Sequence, residues 1–305
     1  MLIAAACGGS SAADKKSGGP EKSNLKVGVL PTWDAAAVYI AIKKGYFQSE
    51  GLKVTPVIVA NGDEAVSRTM SGALDISHNG YTTPILAASK GVKLRVIVDA
   101  SQAKSNMYVI VTPPNSSVHK PKDLVGKKIG VINSKGLPAL LSAAALQVAG
   151  VDPTKVTFVD IPYPNMAAAL QKHSVDAVFA TDPFLTRFEQ TLGVRTVLDT
   201  INGPSADFPI GLYHTSERFA KQNPKTVAAF QRAMAKAQAL AAGNRNEVAQ
   251  VLPTYIKGLT PQVAQSITLG TFSTSLSKTR IQRVADFMTQ QKALSSHFDV
   301  SVMLK

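Results

Sequence analysis

The stretch LKVGVLPTWDAAAVYIAIKK, residues 25–44, carries the decisive pattern. A β-rich run from Lys26 to Leu30 stops at Pro31, and after Thr32 and Trp33 an Ala-rich segment from Asp34 to Lys44 has helical spacing. Asp34 is placed to cap that helix, because a carboxylate at this point can accept from otherwise unpaired backbone N–H groups. Strand, polar junction and helix in succession form the repeating unit of an α/β sheet.

Working outward, the unit recurs. Further β-rich runs lie at Lys53 to Val59, Asp75 to Ser77, Lys93 to Val98, Met107 to Thr112, Lys128 to Ile132, Val156 to Ile161, Ala177 to Ala180 and Arg195 to Leu198. Helical stretches at Asp63 to Ser71, Thr82 to Ser89, Pro138 to Ala149 and Asn165 to Lys172 alternate with them, which predicts parallel, doubly wound layers. After Glu217 helix follows helix, at Thr226 to Ala242, Pro261 to Leu269 and Lys278 to Lys292. Two proline-marked breaks, Pro113-Pro114 and Gly203-Pro204, bracket a block of about ninety residues, too long for a loop. The expected division is a signal remnant and flexible tether over 1–24, a discontinuous first lobe of 25–112 plus 205–305, and a second lobe of 113–204. The two crossings between lobes form the hinge.

Composition narrows the function. The 305 residues are 45% hydrophobic and 17% charged, as in an ordinary globular protein. Thirty-three Lys plus Arg against twenty Asp plus Glu give a net charge of +13, which favours anionic partners. The basic residues are scattered and not interleaved with aromatics, so a nucleic-acid partner is not expected. The single Cys, Cys7, excludes an intrachain disulfide, a Cys-based zinc site and a thiol nucleophile in the folded body. It follows Leu2-Ile3-Ala4-Ala5-Ala6 and precedes a Gly/Ser/Lys-rich run, so it resembles the lipidated Cys of a bacterial lipoprotein on its tether. This predicts an extracytoplasmic protein that meets the membrane only through Cys7.

Ligands of open α/β sheets sit at the carboxyl ends of strands, where helix N-termini present oriented donors. Four such junctions stand out: Trp33-Asp34; His78-Asn79-Gly80-Tyr81-Thr82, with Thr82 or Thr83 as cap; Ser134-Lys135-Gly136; and Thr181-Asp182. Trp33, the only Trp, offers a stacking face, and Tyr81 and Tyr213 add aromatic surface. Catalytic patterns are missing. The five His show no metal spacing, and no GxSxG, GxxxxGK[ST] or GxGxxG follows a strand. No catalytic residue, metal or cofactor is expected.

The run Val27-Gly28-Val29-Leu30 to Asp34-Ala35-Ala36, Ile40 to Phe47 and Glu50-Gly51-Leu52-Lys53-Val54 resembles the opening of nitrate/sulfonate/taurine-type substrate-binding proteins of ABC importers, a family that includes thiamine-precursor relatives. The resemblance extends through Ser71 to Ile76, Asn79-Gly80-Tyr81, Leu124 to Val131, Met166 to Leu170 and Asp176-Ala177-Val178. It implies the bilobed, type II periplasmic-binding-protein fold with a helical C-terminal segment, a monomer that closes about a hinge, and delivery of a small-molecule ligand to an ABC transporter permease. Carried over by position, the cleft residues are Trp33, Asp34, Asn79, Gly80, Tyr81, Ser134, Gly136, Thr181 and Asp182, with Thr82 and Tyr213 added from the junction reading. Trp33 stands where the family usually has a small aliphatic residue, which argues against a small inorganic anion such as nitrate. The expected ligand is an organic anion, a sulfonate or carboxylate with an aromatic or apolar part. The alternatives are a neutral pyrimidine precursor or, from another class, an enzyme on the same fold; pyrimidine-building relatives and porphobilinogen deaminase need cysteines that this chain lacks in its folded body.

Overall fold

A computed structural model describes residues 18–304. Cys7 and the first part of the expected tether lie outside the described residues. The strands are β1 (Asn24–Val29), β2 (Lys53–Ile58), β3 (Ile76–Gly80), β4 (Leu94–Gln102), β5 (Tyr108–Thr112), β6 (Lys128–Val131), β7 (Thr157–Asp160), β8 (Ala177–Thr181), β9 (Arg195–Asp199), β10 (Pro209–Ser216) and β11 (Thr271–Phe272). They form two sheets, ordered β11-β4-β10-β3-β1-β2 and β7-β6-β8-β5-β9.

Neither sheet is purely parallel. β1 pairs in parallel with β2 and β3, as β6 does with β7 and β8. The strands that enter or return to a sheet at the crossings run antiparallel: β5 against β8 and β9, β10 against β3 and β4.

Tyr108–Thr112 belongs to the second sheet, although the proline pair after it suggested the end of the first lobe. Pro113-Pro114 ends β5 because proline cannot donate to the ladder, and the break marks a strand end and not a boundary between lobes. The crossings therefore fall at 103–107 and 200–208. They are tied together: Ala103 N donates to Phe208 O (2.8 Å), and Ser105 Oγ and Asn106 N both donate to Asp199 Oδ2 (2.6 and 3.0 Å).

The end of the expected tether is docked as well. Glu21 accepts from Lys225 N (3.0 Å) and Thr226 N (2.8 Å), the opening N–H groups of helix Pro224–Gly243, and Lys22 pairs with Asp75. An acidic side chain satisfies orphan donors and complements the dipole at a helix N-terminus. Among the described residues no helix is long and apolar enough to cross a membrane.

The first sheet packs under helices Ala36–Lys43 and Pro224–Gly243, whose alanines share one apolar cluster with Val27, Val29 and Ile97. Every residue of β10 is buried, as expected of a strand covered on both faces. Helix Lys278–Gln290 contributes Ile281, Val284 and Met288 to a second cluster that runs on to Ile129 and Leu141 of the second lobe.

Candidate functional site

At the end of β1 the chain makes a 3₁₀ turn, Trp33–Ala35, that leads into helix Ala36–Lys43. Asp34 does not cap that helix. Its carboxylate is buried among side chains: Oδ1 accepts from Thr32 Oγ1 (2.7 Å), while Oδ2 accepts from Ser101 Oγ (2.8 Å) and lies 3.2 Å from His78 Nε2. Burial pushes the Asp34 pKa up, but the adjacent His78 and these hydrogen bonds outweigh it and hold it at about 2. Asp34 is therefore ionised at neutral pH and all three neighbours donate to it, which leaves His78 Nδ1 without a partner. Gly211 of β10 makes the room: a Cβ there would sit 2.2 Å from Asp34 Oδ2 and 2.9 Å from Ser101 Oγ.

Trp33, the residue before Asp34, is 1% exposed and sits edge-on to Phe272 with ring centroids 5.2 Å apart. The indole also fills space that a Cβ on Gly270 would occupy. Its Nε1 has no hydrogen-bond partner. From the second sheet come Tyr108, the first residue of β5, and Thr181, the last of β8. The Tyr108 hydroxyl has both Trp33 and Thr181 as neighbours; burial, then the charge of Asp34, raise its pKa well above the ordinary value. Thr181 Oγ1 is buried without a partner. Tyr163 and Phe184, the first residues of their helices, stack with centroids 4.7 Å apart, and Tyr39 stacks on Tyr255 at 4.0 Å.

Asp182 joins the two sides. From one residue before the capping position Pro183, its Oδ1 accepts from Thr186 N (3.0 Å) and Thr186 Oγ1 (2.6 Å) in the first turn of helix Phe184–Leu192. Its Oδ2 accepts from Thr268 N (2.5 Å), in the segment that leads to β11 of the first sheet. Arg245 holds that segment by donating to the carbonyls of Gln265 and Ile267.

Residues 32–248 match the protein family described as NMT1/THI5 like. The chain belongs to that family. The formylaminopyrimidine-binding protein of Halalkalibacterium halodurans is 27% identical over 265 residues, 83% of this chain and 76% of that protein. The taurine-binding periplasmic protein of Escherichia coli is 27% identical over 180 residues, 58% of this chain and 54% of that protein. Over three curated relatives the chain spans 54% to 76% of their length. The periplasmic aliphatic sulphonate-binding protein SsuA of Escherichia coli has the same fold, with a TM-score of 0.75 at 20% identity over 93% of this chain and 98% of that one. The architecture is the two-lobed, type II periplasmic-binding-protein fold.

In this NMT1/THI5-like chain the remaining junction residues go elsewhere. Neither Thr82 nor Thr83 caps helix Thr82–Ser89; the capping position is Tyr81, itself in helical conformation and without a side-chain cap. Tyr81 points its hydroxyl toward the buried Asp99, which Arg280 pairs through Nε at 2.5 Å. Burial raises the Asp99 pKa against the pull of Tyr81, Arg280 and Ser273. Asn79 donates to Gly62 O (2.9 Å), and Gly80 pairs with Gly211 between β3 and β10. Ser134 N donates to Asp160 Oδ1 at the end of β7 (2.5 Å), and Gly136 N donates to Asn133 O within its own loop (3.1 Å). Tyr213 lies by His78, ring centroids 5.1 Å apart, with its hydroxyl unpartnered.

The structure thus brings together Trp33, Asp34, Thr181, Asp182 and Tyr213, and adds Ser101, Tyr108, Thr268, Gly270 and Phe272, which sequence reasoning missed. For Tyr108 the available signal was an aromatic that opens the first strand after a crossing. Ser101 lies in a polar stretch, Asp99-Ala100-Ser101, that did not read as strand. Among the described residues no group of three or more His, Cys, Asp or Glu could hold a metal ion.

Proposed function

We infer that this chain is an extracytoplasmic solute receptor that takes a small organic anion, a sulfonate or carboxylate with an aromatic or apolar part, between its two sheets and passes it to an ABC permease. The observation that carries the reading is the meeting of both sheets around aromatic rings and unpartnered polar atoms, Trp33 Nε1 from one side and Thr181 Oγ1 from the other. A buried donor without an acceptor is costly, so a site of this kind is completed by a ligand. The two carboxylates nearby do not argue against an anion. Each accepts three hydrogen bonds, Asp34 from Thr32, Ser101 and His78, and Asp182 two from Thr186 and one from Thr268. The binding proteins for taurine and for a formylaminopyrimidine among the relatives support a receptor, and the lipoprotein-like Cys7 supports an anchored one.

Closure about the paired crossings lets ligand binding shift the population of closed protein. Small-angle scattering and thermal unfolding against a panel of sulfonates, carboxylates and pyrimidines test this. A true ligand compacts the protein, at 100 times its dissociation constant adds about 2.7 kcal/mol of stability, and is recovered chemically unchanged. A panel member that is turned over would favour the enzyme reading, and pyrimidine binding with inert anions would move the ligand to the neutral class.

A further inference from the structure

We propose that Trp33 Nε1, the Tyr108 hydroxyl and Thr181 Oγ1 form a neutral three-donor anchor that selects a ligand with an oxyanion head and keeps the cleft from closing empty. The assignment rests on the receptor reading above and deepens it. Trp33 is 1% exposed and Thr181 6% exposed, and neither polar atom has a partner. Both lie close enough to the Tyr108 hydroxyl to act on it as donors, yet neither completes a hydrogen bond of ordinary geometry to it. An indole can only donate and so needs an acceptor; the two hydroxyls can accept as well as donate, and can turn their hydrogens toward an acceptor shared with the indole. One acceptor placed among the three would satisfy all of them.

The three atoms also come from both sides of the crossings. Trp33 follows β1 of the first sheet, whereas Tyr108 opens β5 and Thr181 ends β8 in the second. Opening returns these groups to water, and closing without a ligand strands the two that lack partners. Each stranded donor opposes empty closure, while an oxyanion between them removes the penalty and adds charge-assisted hydrogen bonds. The anchor carries no net charge of its own, and Asp34 behind it is held by His78. A cationic ammonium head could use the two hydroxyl oxygens but would leave the Trp33 N–H without an acceptor.

The test compares wild type with the double variant Tyr108→Phe, Thr181→Val, which removes both hydroxyls and retains shape. In the empty protein, scattering should show the variant more compact, with the closed population raised roughly tenfold by loss of the unpartnered Thr181 hydroxyl. Benzenesulfonate and benzoate should compact wild type and bind the variant at least tenfold more weakly, and benzylammonium should bind neither. Trp33→Phe should weaken the anions likewise. Equal compaction of the two empty proteins, or equal anion affinity, would overturn the anchor. If benzenesulfonate or benzoate nevertheless compacts both proteins alike, the receptor reading stands without the anchor. If no panel member compacts wild type, the receptor reading falls, and the comparison of empty proteins still decides the anchor.

Discussion

At the end of β1 the Asp34 carboxylate holds three partners and is fixed by a glycine that leaves it no spare room; at the end of β8 Thr181 holds none. The charged groups of the cleft, Asp34 beside the first sheet and Asp182 beside the second, are saturated before any ligand arrives. The neutral groups are not: Trp33 Nε1 and the Tyr213 hydroxyl on one side and Thr181 Oγ1 on the other lack partners. Preorganised charges keep the ordering cost of binding low, and the unmet hydrogen bonds of the neutral groups make closure depend on what is bound.

The largest test of that contrast exchanges one glycine on each side. Gly211→Ala drives a Cβ to 2.2 Å from Asp34 Oδ2 and 3.1 Å from His78 Nε2, so a buried charge must give up its partners. A loss of about 3 kcal/mol or more in urea unfolding is expected. Gly130→Ala in β6 meets only the tips of Val178 (3.1 Å) and Ile161 (3.2 Å), which can yield, and should cost about 1 kcal/mol or less. A larger loss at Gly130 would erase the distinction.

Next come the two aspartates. Asp34→Asn puts a neutral amide, with a donor of its own, among Thr32, Ser101 and His78, and about 2 kcal/mol of stability should go at pH 7. The sign with pH follows from the depressed pKa. The Asp34 contribution is complete above the unfolded value near 4 and is lost as pH falls toward about 2, so the variant's deficit should shrink across that window. Asp182→Asn retains an acceptor for Thr186 but can set an amide N–H against Thr268 N–H; it should cost about 1 kcal/mol and loosen the closed state in scattering.

An effect comparable to that of Asp34→Asn separates the two regions by acidity. His214 in β10 is fully buried; burial, then the charge of His78, lower its pKa to about 3. The unfolded chain binds that proton near pH 6.5, so below that value the unfolded state gains and stability falls as pH drops, by up to about 1.4 kcal/mol per pH unit. Over the 1.5 pH units down to pH 5 this amounts to nearly 2 kcal/mol in wild type. His214→Leu should flatten the slope measured by thermal unfolding between pH 6.5 and 5, whereas His173→Gln, at an exposed loop position, should leave it unchanged.

Local patterns made much of this architecture legible. Strand runs bounded by Pro and Gly, and the alternation with Ala-rich helices, placed β1 to β9 within a few residues, and a lone Trp at a strand end marked a junction where the two sheets meet. What stayed hidden depends on partners remote in sequence. Glu21 sits in a stretch with the composition of a linker, yet its carboxylate meets a helix terminus 204 residues later. Asp34 has the position of a cap but finds Ser101, 67 residues away, and gives its oxygens to side chains. The relation of Tyr108 to Trp33 arises only when the two sheets meet, so no spacing rule reports it.

The smallest effect is the most discriminating for the site itself. The family resemblance puts Ser134 in the cleft, whereas the structure shows its backbone N–H engaged with Asp160 in a loop beyond β6. If the head group is held by Trp33, Tyr108 and Thr181, Ser134→Ala should change benzenesulfonate affinity by less than about twofold, under roughly 0.5 kcal/mol. Titration calorimetry on Ser134→Ala beside Thr181→Val decides between the positions. A tenfold loss at Ser134 with none at Thr181 would move the ligand's head to the N-terminus of helix Leu137–Val148 and reverse the assignment of which side of the second lobe does the holding.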